Sequence, residues 1–162
     1  MRVLATNEIW EWCRNQGIVL SSDGHLQESD RLSHRDRIVV SPRGRTGNER
    51  EAGERCAKAL GRWRECLVWI VGWGAWPNGE DWPAFYGIRE AIGERRSVEE
   101  APGHVLTRDE DDMLVELITL LFENGWDAHV LPLSNNGQPA RRLRISHDGW
   151  AEIHASVPIS ID

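Results

Sequence analysis

The sequence is short of the residues that announce most chemistries. It has three cysteines, Cys13, Cys56 and Cys66, with no CxxC pair. An odd count without that spacing argues against a disulfide scaffold or a thiolate zinc site and predicts reduced, buried thiols. There is no HxH or HExxH pair, and no glycine-rich loop ending in Lys-Ser/Thr, so neither a zinc-hydrolase nor a P-loop signature is present. No apolar run approaches the roughly 18 residues of a membrane span. Met1 to Thr6 lacks the apolar stretch of a secretory signal, which predicts a cytoplasmic protein without a membrane partner. Positive charge is scarce: the formal net charge is -7 and the pI about 5.4. That excludes general nucleic-acid binding as an expectation, because phosphate contacts need an excess of clustered Lys and Arg. Repeats and low-complexity segments are also missing.

What is present is an ordinary globular composition, 40% hydrophobic and 28% charged over 162 residues. One domain, 1–162, is the expectation for that length. Tryptophan is the outlier, with nine against one Tyr and two Phe. Indoles serve both as core filling and as interface anchors, so their number alone does not choose a role. The basic residues are nearly all Arg and gather at 31–50, 62–64 and 141–144.

Cys66 to Val71 is apolar without a break and is followed by Gly72-Trp73-Gly74-Ala75-Trp76-Pro77. So short a run, closed by Gly and Pro, predicts a central buried strand over 66–71. Helices are predicted near 7–15, 48–60, 81–92 and 107–123. In the first, Ile9, Trp10 and Cys13 share a face and Gly17 stands at the C-terminal stop. The second has a narrow face of small residues, Ala52, Cys56 and Ala59 with Leu60, which predicts close packing. Asp81 caps the third, with Pro83 in its first turn. Thr107 to Glu110 has the spacing of a capping box at the start of the fourth. Ile18 to Leu20, Arg37 to Ser41 and His104 to Leu106 read as short strands, and His25 to Asp36 as a loop or weak helix.

The region 126–157 reads as a three-stranded antiparallel meander with turns at Asn135-Asn136-Gly137 and His147-Asp148-Gly149. Alternation points Trp126, Ala128, Val130, Leu143, Ile145, Ala151, Ile153 and Ala155 inward. It leaves a polar sheet face of Asp127, His129, Arg142, Arg144, Glu152 and His154. A row of Arg between rows holding acids suits cross-strand pairing. The fold class that follows is α+β, a mixed α/β sandwich.

Trp69-Ile70-Val71-Gly72-Trp73-Gly74-Ala75-Trp76-Pro77 and Trp82-x-x-Phe85-Tyr86-x-x-Arg89 resemble an uncharacterised family of small bacterial proteins with a WITEWGxWPSSENWHLFYRLR-type motif. Ala101-Pro102-Gly103-His104-Val105, Gly125-Trp126-Asp127-Ala128-His129-Val130 and Ser146-His147-Asp148 are similar to its APGHLF, GWDAHL and SHDE segments. The resemblance implies no activity, since none is assigned to that family. Gly72 and Gly149 depart from the pattern, so it implies no essential carboxylate at either place.

Each candidate chemistry has a plainer alternative. The histidines His104, His129, His147 and His154 are numerous enough for a metal. Their spacing is wrong, and arginines on the same face repel a cation, so no metal and no cofactor are expected. His147-Asp148 reads as a turn, because neighbours in a turn seldom point together. Asp109 to Asp112 are explained by the positive helix N-terminus. Arg43 to Gly47, before a helix, reads as a surface loop. The strongest site candidate is an aromatic corner of Trp73, Trp76 and Trp82 beside His104, where a strand end meets a helix. These observations point to a non-catalytic protein-binding or immunity-type protein, with another protein as its partner. One alternative is a small hydrolase or transferase with a cleft near residues 72–81 and His104. A third reading is a homo-oligomer subunit joined through its indoles.

Overall fold

A computed structural model describes residues 1–22, 24–27, 34–39, 48–74, 81–134 and 141–156, the 34–39 segment by its backbone. The Arg43–Gly47 loop, Trp76, Pro77 and the turn Asn135–Gly137 lie outside the described residues.

The fold is α+β, built on a seven-stranded sheet. The strands are β1 (Arg2–Leu4), β2 (His34–Val39), β3 (Glu65–Gly72), β4 (Gly103–Thr107), β5 (Asp127–Leu133), β6 (Arg141–Ser146) and β7 (Trp150–Ala155). Their spatial order is β1-β4-β3-β5-β6-β7-β2, and every pairing is antiparallel. β3 is therefore interior, as its unbroken apolar run predicts, and Cys66, Leu67 and Val68 are fully buried.

The two faces of the sheet are unlike. One carries Cys66, Val68 and Ile70 from β3, Ala128 and Val130 from β5, and Leu143, Ile145, Ala151 and Ile153 from β6 and β7. It packs on helices α2 (Glu49–Leu60), α3 (Trp82–Glu90) and α4 (Asp111–Asn124). All eight side chains that alternation points inward in the meander are at 0 or 1% exposure. The other face carries Leu67, Trp69, Leu131 and Leu133, covered by Ile9, Trp12 and Cys13 of helix α1 (Thr6–Asn15). α1 is short and covers the β1-β4-β3-β5 end; among the described residues no helix lies on the β6-β7 end of that face.

Local chemistry explains the helix ends. The Ala84 N–H donates to Asp81 Oδ1 at 3.0 Å, while the Asp81 N–H donates to Asn124 Oδ1 at 2.5 Å, tying the start of α3 to the end of α4. The Thr107 N–H donates to Glu110 Oε2 at 2.8 Å. That capping box opens a 3-10 turn, Arg108–Glu110, before α4 proper begins at Asp111. α2 lies close on α4: a Cβ placed on Gly53 would stand 2.6 Å from Thr119 Oγ1 and 3.1 Å from the Val115 carbonyl.

Three expectations are corrected and one strand is added. In α1 the buried indole is Trp12, not Trp10, which is 39% exposed. Trp12 lies three residues after Ile9 and next to Cys13, completing the stripe, and its Nε1–H donates to Glu65 Oε1 at 2.5 Å. Ile18 to Leu20 is not a strand but one isolated bridge, Leu20 to Leu26. The polar segment His34 to Asp36, read as loop or weak helix, belongs to β2, where the ladder with β7 pairs Asp36 with Ile153 and Ile38 with Ala151. β1 had no sequence signal; it adds three residues to the β4 edge.

Candidate functional site

The described members of the aromatic corner are packed inward rather than grouped in the open. His104 sits on β4 at 0% exposure, with the Arg89 Nη1 3.0 Å from its Nε2 and the Phe85 ring edge-on at 5.5 Å. Burial, and then the Arg89 charge, push its pKa down to about 3, so it is a neutral core imidazole. Arg89 is equally enclosed. It donates to the carbonyls of Ala101 at 2.9 Å and Arg96 at 2.8 Å, so it fastens the 94–104 connection to α3. Trp82 is half-buried against Trp126, with ring centroids 4.8 Å apart, and stacks on Tyr86 at 5.8 Å. Trp73 is likewise packed against the core. Trp76 is outside the described residues. The rule that placed a ligand at the strand's C-terminal end belongs to parallel sheets, and this sheet has no parallel pairing among its described strands.

The polar sheet face, by contrast, is gathered into a cleft of about 460 Å³ at the end that α1 leaves uncovered. Its floor is His129 of β5 with Arg142 and Arg144 of β6. One wall carries His25 and Leu26; the other is the β6–β7 turn with His147, Asp148 and Trp150. The expected cross-strand arrangement is present in the register: His129 faces Arg144, Arg144 faces Glu152, and Arg142 faces His154. The face is less solvated than a simple ladder would be. Arg142 is 9% exposed and His154 only 4%. The His154 Nε2 lies 3.0 Å from Glu152 Oε2, so that carboxylate pairs within its own strand. Arg142 Nη1 reaches the Gln27 carbonyl at 3.4 Å, and the Arg144 guanidinium lies over the Trp150 ring at 5.5 Å.

One element of the cleft is a pair that sequence reading missed. Asp127 opens β5, and His147 follows β6, twenty positions later. The ladder places Ala128 opposite Ile145, which brings these two side by side. Asp127 Oδ1 accepts the His147 backbone N–H at 3.0 Å, and Oδ2 lies 2.9 Å from the imidazole Nδ1. The hydrogen bond to Asp127, then its charge, hold the His147 pKa above its ordinary value. The acid that orients His147 is thus Asp127 and not its neighbour Asp148, whose Oδ1 is 3.5 Å from Nε2. Gly72 makes room for this pair: a Cβ there would stand 2.9 Å from Asp127 Oδ2. The signal available in the sequence was the ladder itself, but its register depended on a connection whose length is no guide to pairing.

His129 has the opposite electrostatics. Burial, and then Arg142 and Arg144, push its pKa down to about 4, and among the described residues its Nδ1 has no hydrogen-bond partner. Arginines beside a neutral imidazole are a poor setting for a cation, and among the described residues no group of three or more His, Cys, Asp or Glu is arranged to hold a metal. No helix among them is long and apolar enough to cross a membrane. Set against known protein families, curated proteins and solved structures, the chain finds no match in any of the three.

Proposed function

We propose that the protein acts by binding, as a small partner-binding protein of the immunity type, and that its contact surface is the polar end of the sheet around Arg142, Arg144 and His147. One observation carries the reading. α1 seals the apolar end of that face, while the polar end is left as a walled cleft with arginine and histidine groups already in position. A face built only for solvent has no need of the wall that His25 and Leu26 supply. Preset side chains of this kind lower the ordering cost of association. Arg and Trp side by side, as in Arg144 and Trp150, are the pair most often found where an interface concentrates its energy. The half-buried Trp73 and Trp82 are core residues first and extend the surface at most at its margin.

The test is affinity capture from the native host with wild type and with Arg144→Glu. Arg144 is exposed, so the variant should fold. Wild type retains a partner that the variant loses. The same partner retained equally by both would remove the polar end from the interface.

A second reading is favoured by the Asp127–His147 pair alone. An imidazole oriented through Nδ1 by a carboxylate, in the lining of a cleft, has the arrangement of a general base. On that reading the protein is a hydrolase working at His147, and a folded His147→Ala variant loses turnover; turnover kept by that variant would remove the reading.

A further inference from the structure

We propose that the turn between β6 and β7 is a proton-operated latch: with both ring nitrogens protonated, His147 ties Asp127 of β5 to Asp148 of the turn, and loss of one ring proton frees Asp148. The inference rests on the reading of this cleft as a contact surface and names how that surface is regulated, since His147, Asp148 and Trp150 form one wall of it. The geometry is a histidine with a carboxylate at each ring nitrogen. Asp127 Oδ2 lies 2.9 Å from Nδ1, and Asp148 Oδ1 lies 3.5 Å from Nε2. A neutral imidazole has one N–H, and its other nitrogen carries a lone pair. Bonded to Asp127 through Nδ1–H, the neutral ring turns that lone pair on the Asp148 carboxylate, and the two repel. The imidazolium donates at both nitrogens and attracts both acids. Carboxylates are ionised across the neutral range, so the ring alone changes state there.

The remaining contacts of the turn do not need the ring proton. The His147 backbone N–H donates to Asp127 Oδ1 at 3.0 Å, and the Gly149 N–H donates to the Ser146 carbonyl at 3.1 Å. The Asp148 N–H donates to Ser146 Oγ at 3.2 Å. What the second ring proton adds is a hold on the Asp148 side chain, which is otherwise 67% exposed at the rim. The His147 side chain is 42% exposed, so it exchanges protons with solvent freely. β3 meets the pair at Gly72, which brings no side chain. Among the described residues the other charged or titratable groups lining the cleft are His25, His129, Arg142 and Arg144. The arginines are charged throughout, and His129, with its pKa at about 4, is neutral throughout. His25 is thus the one other lining group to be controlled for. The hydrogen bond to Asp127, then its charge, and last the charge of Asp148 hold the His147 pKa above its ordinary 6.5. A raised folded value means that the latch is closed at and below pH 6.5 and opens as pH rises through that higher value.

The experiment is an NMR pH titration of the full chain across the neutral range, reading the His147 ring and the amide protection of Asp148 and Gly149. A ring charge shifts nearby resonances whatever the turn does. Protection, corrected for the intrinsic pH dependence of exchange, is therefore the reading that decides. The inference predicts that turn protection falls about two- to fivefold as pH rises, the range of an exposed ion pair, with the midpoint of the His147 ring. Asp148→Asn should lower the ring midpoint and remove the fall in protection; the side chain is exposed, so the variant keeps the fold. His25→Gln should change neither. Protection that stays level while the ring titrates, a ring midpoint unmoved in Asp148→Asn, or a fall in protection lost in His25→Gln would overturn the latch. Affinity capture at pH 6 and pH 8 then reads the regulation. Wild type should hold its partner better at pH 6, because an ordered wall lowers the ordering cost of binding, and Asp148→Asn should lose that preference. The same preference in both proteins would overturn the regulatory role. A latch seen in the chain alone, with capture indifferent to Arg144, sinks only the contact surface. Capture that depends on Arg144, with turn protection level across the titration, sinks only the latch.

Discussion

Asp127 gives both its oxygens to one residue, which is an unusual degree of commitment for a half-exposed carboxylate. The consequence is a His147 more readily protonated than an ordinary histidine. Asp127→Asn removes the charge, so the His147 pKa should fall toward its ordinary value, as read by ring resonances across a pH titration. Gly72→Ala should do the same at a distance, since its methyl would displace the carboxylate. An unmoved His147 pKa in both variants would contradict the pairing. The buried histidines act in the other direction. His104 and His129 have folded pKa values of about 3 and about 4, against an ordinary 6.5. Below 6.5 the unfolded chain takes up protons that the folded chain refuses, so stability falls as pH falls through that window. For His104 the loss is roughly 1.4 kcal/mol per pH unit until its folded pKa is reached. Denaturant midpoints between pH 7 and pH 4 should show this loss, and His104→Gln, whose amide oxygen still accepts from Arg89, should flatten it by about half.

At the scale of elements, α2 can lie on α4 only because its contact face is small. Gly53→Val would push a branched side chain into Thr119 and the Val115 carbonyl, and should lower stability by about 1–3 kcal/mol. Gly87, exposed within α3 with nothing near its missing Cβ, behaves oppositely: Gly87→Ala should raise stability by about 0.5–1 kcal/mol. Chemical denaturation of the two variants reads both signs in one assay. The elements legible in the sequence were those whose own pattern decides them. The unbroken run of β3, the alternation of β5, β6 and β7, and the caps at Asp81 and Thr107 each name a structure locally. β1 and the first residues of β2 were not legible, because their ladder bonds come from β4 and β7 and not from their side-chain pattern. The Asp127–His147 pair was hidden for the same reason: it exists only once the register of β5 on β6 is set. Trp10 and Trp12 were distinguishable only by which indole reaches the sheet.

For the whole molecule, the governing feature is a sheet that, among the described residues, has three helices packed on one face and one short helix on the apolar end of the other. α2, α3 and α4 take the first face, and the single short α1 takes the apolar end of the second. What remains is polar and concave, and it concentrates arginine and histidine on a chain whose net charge is -7. The aromatic residues near α3, which the sequence offered as the site, are mostly bound up in holding that roof on. The account therefore stands or falls on where a partner touches. Amide hydrogen exchange on the protein alone and with its captured partner measures this directly. The account predicts new protection along 141–146 and through the 147–150 turn, with the outer faces of α2 and α4 unchanged. Protection confined to Trp73, Trp82 or those helices, with 141–150 exchanging as before, would contradict it.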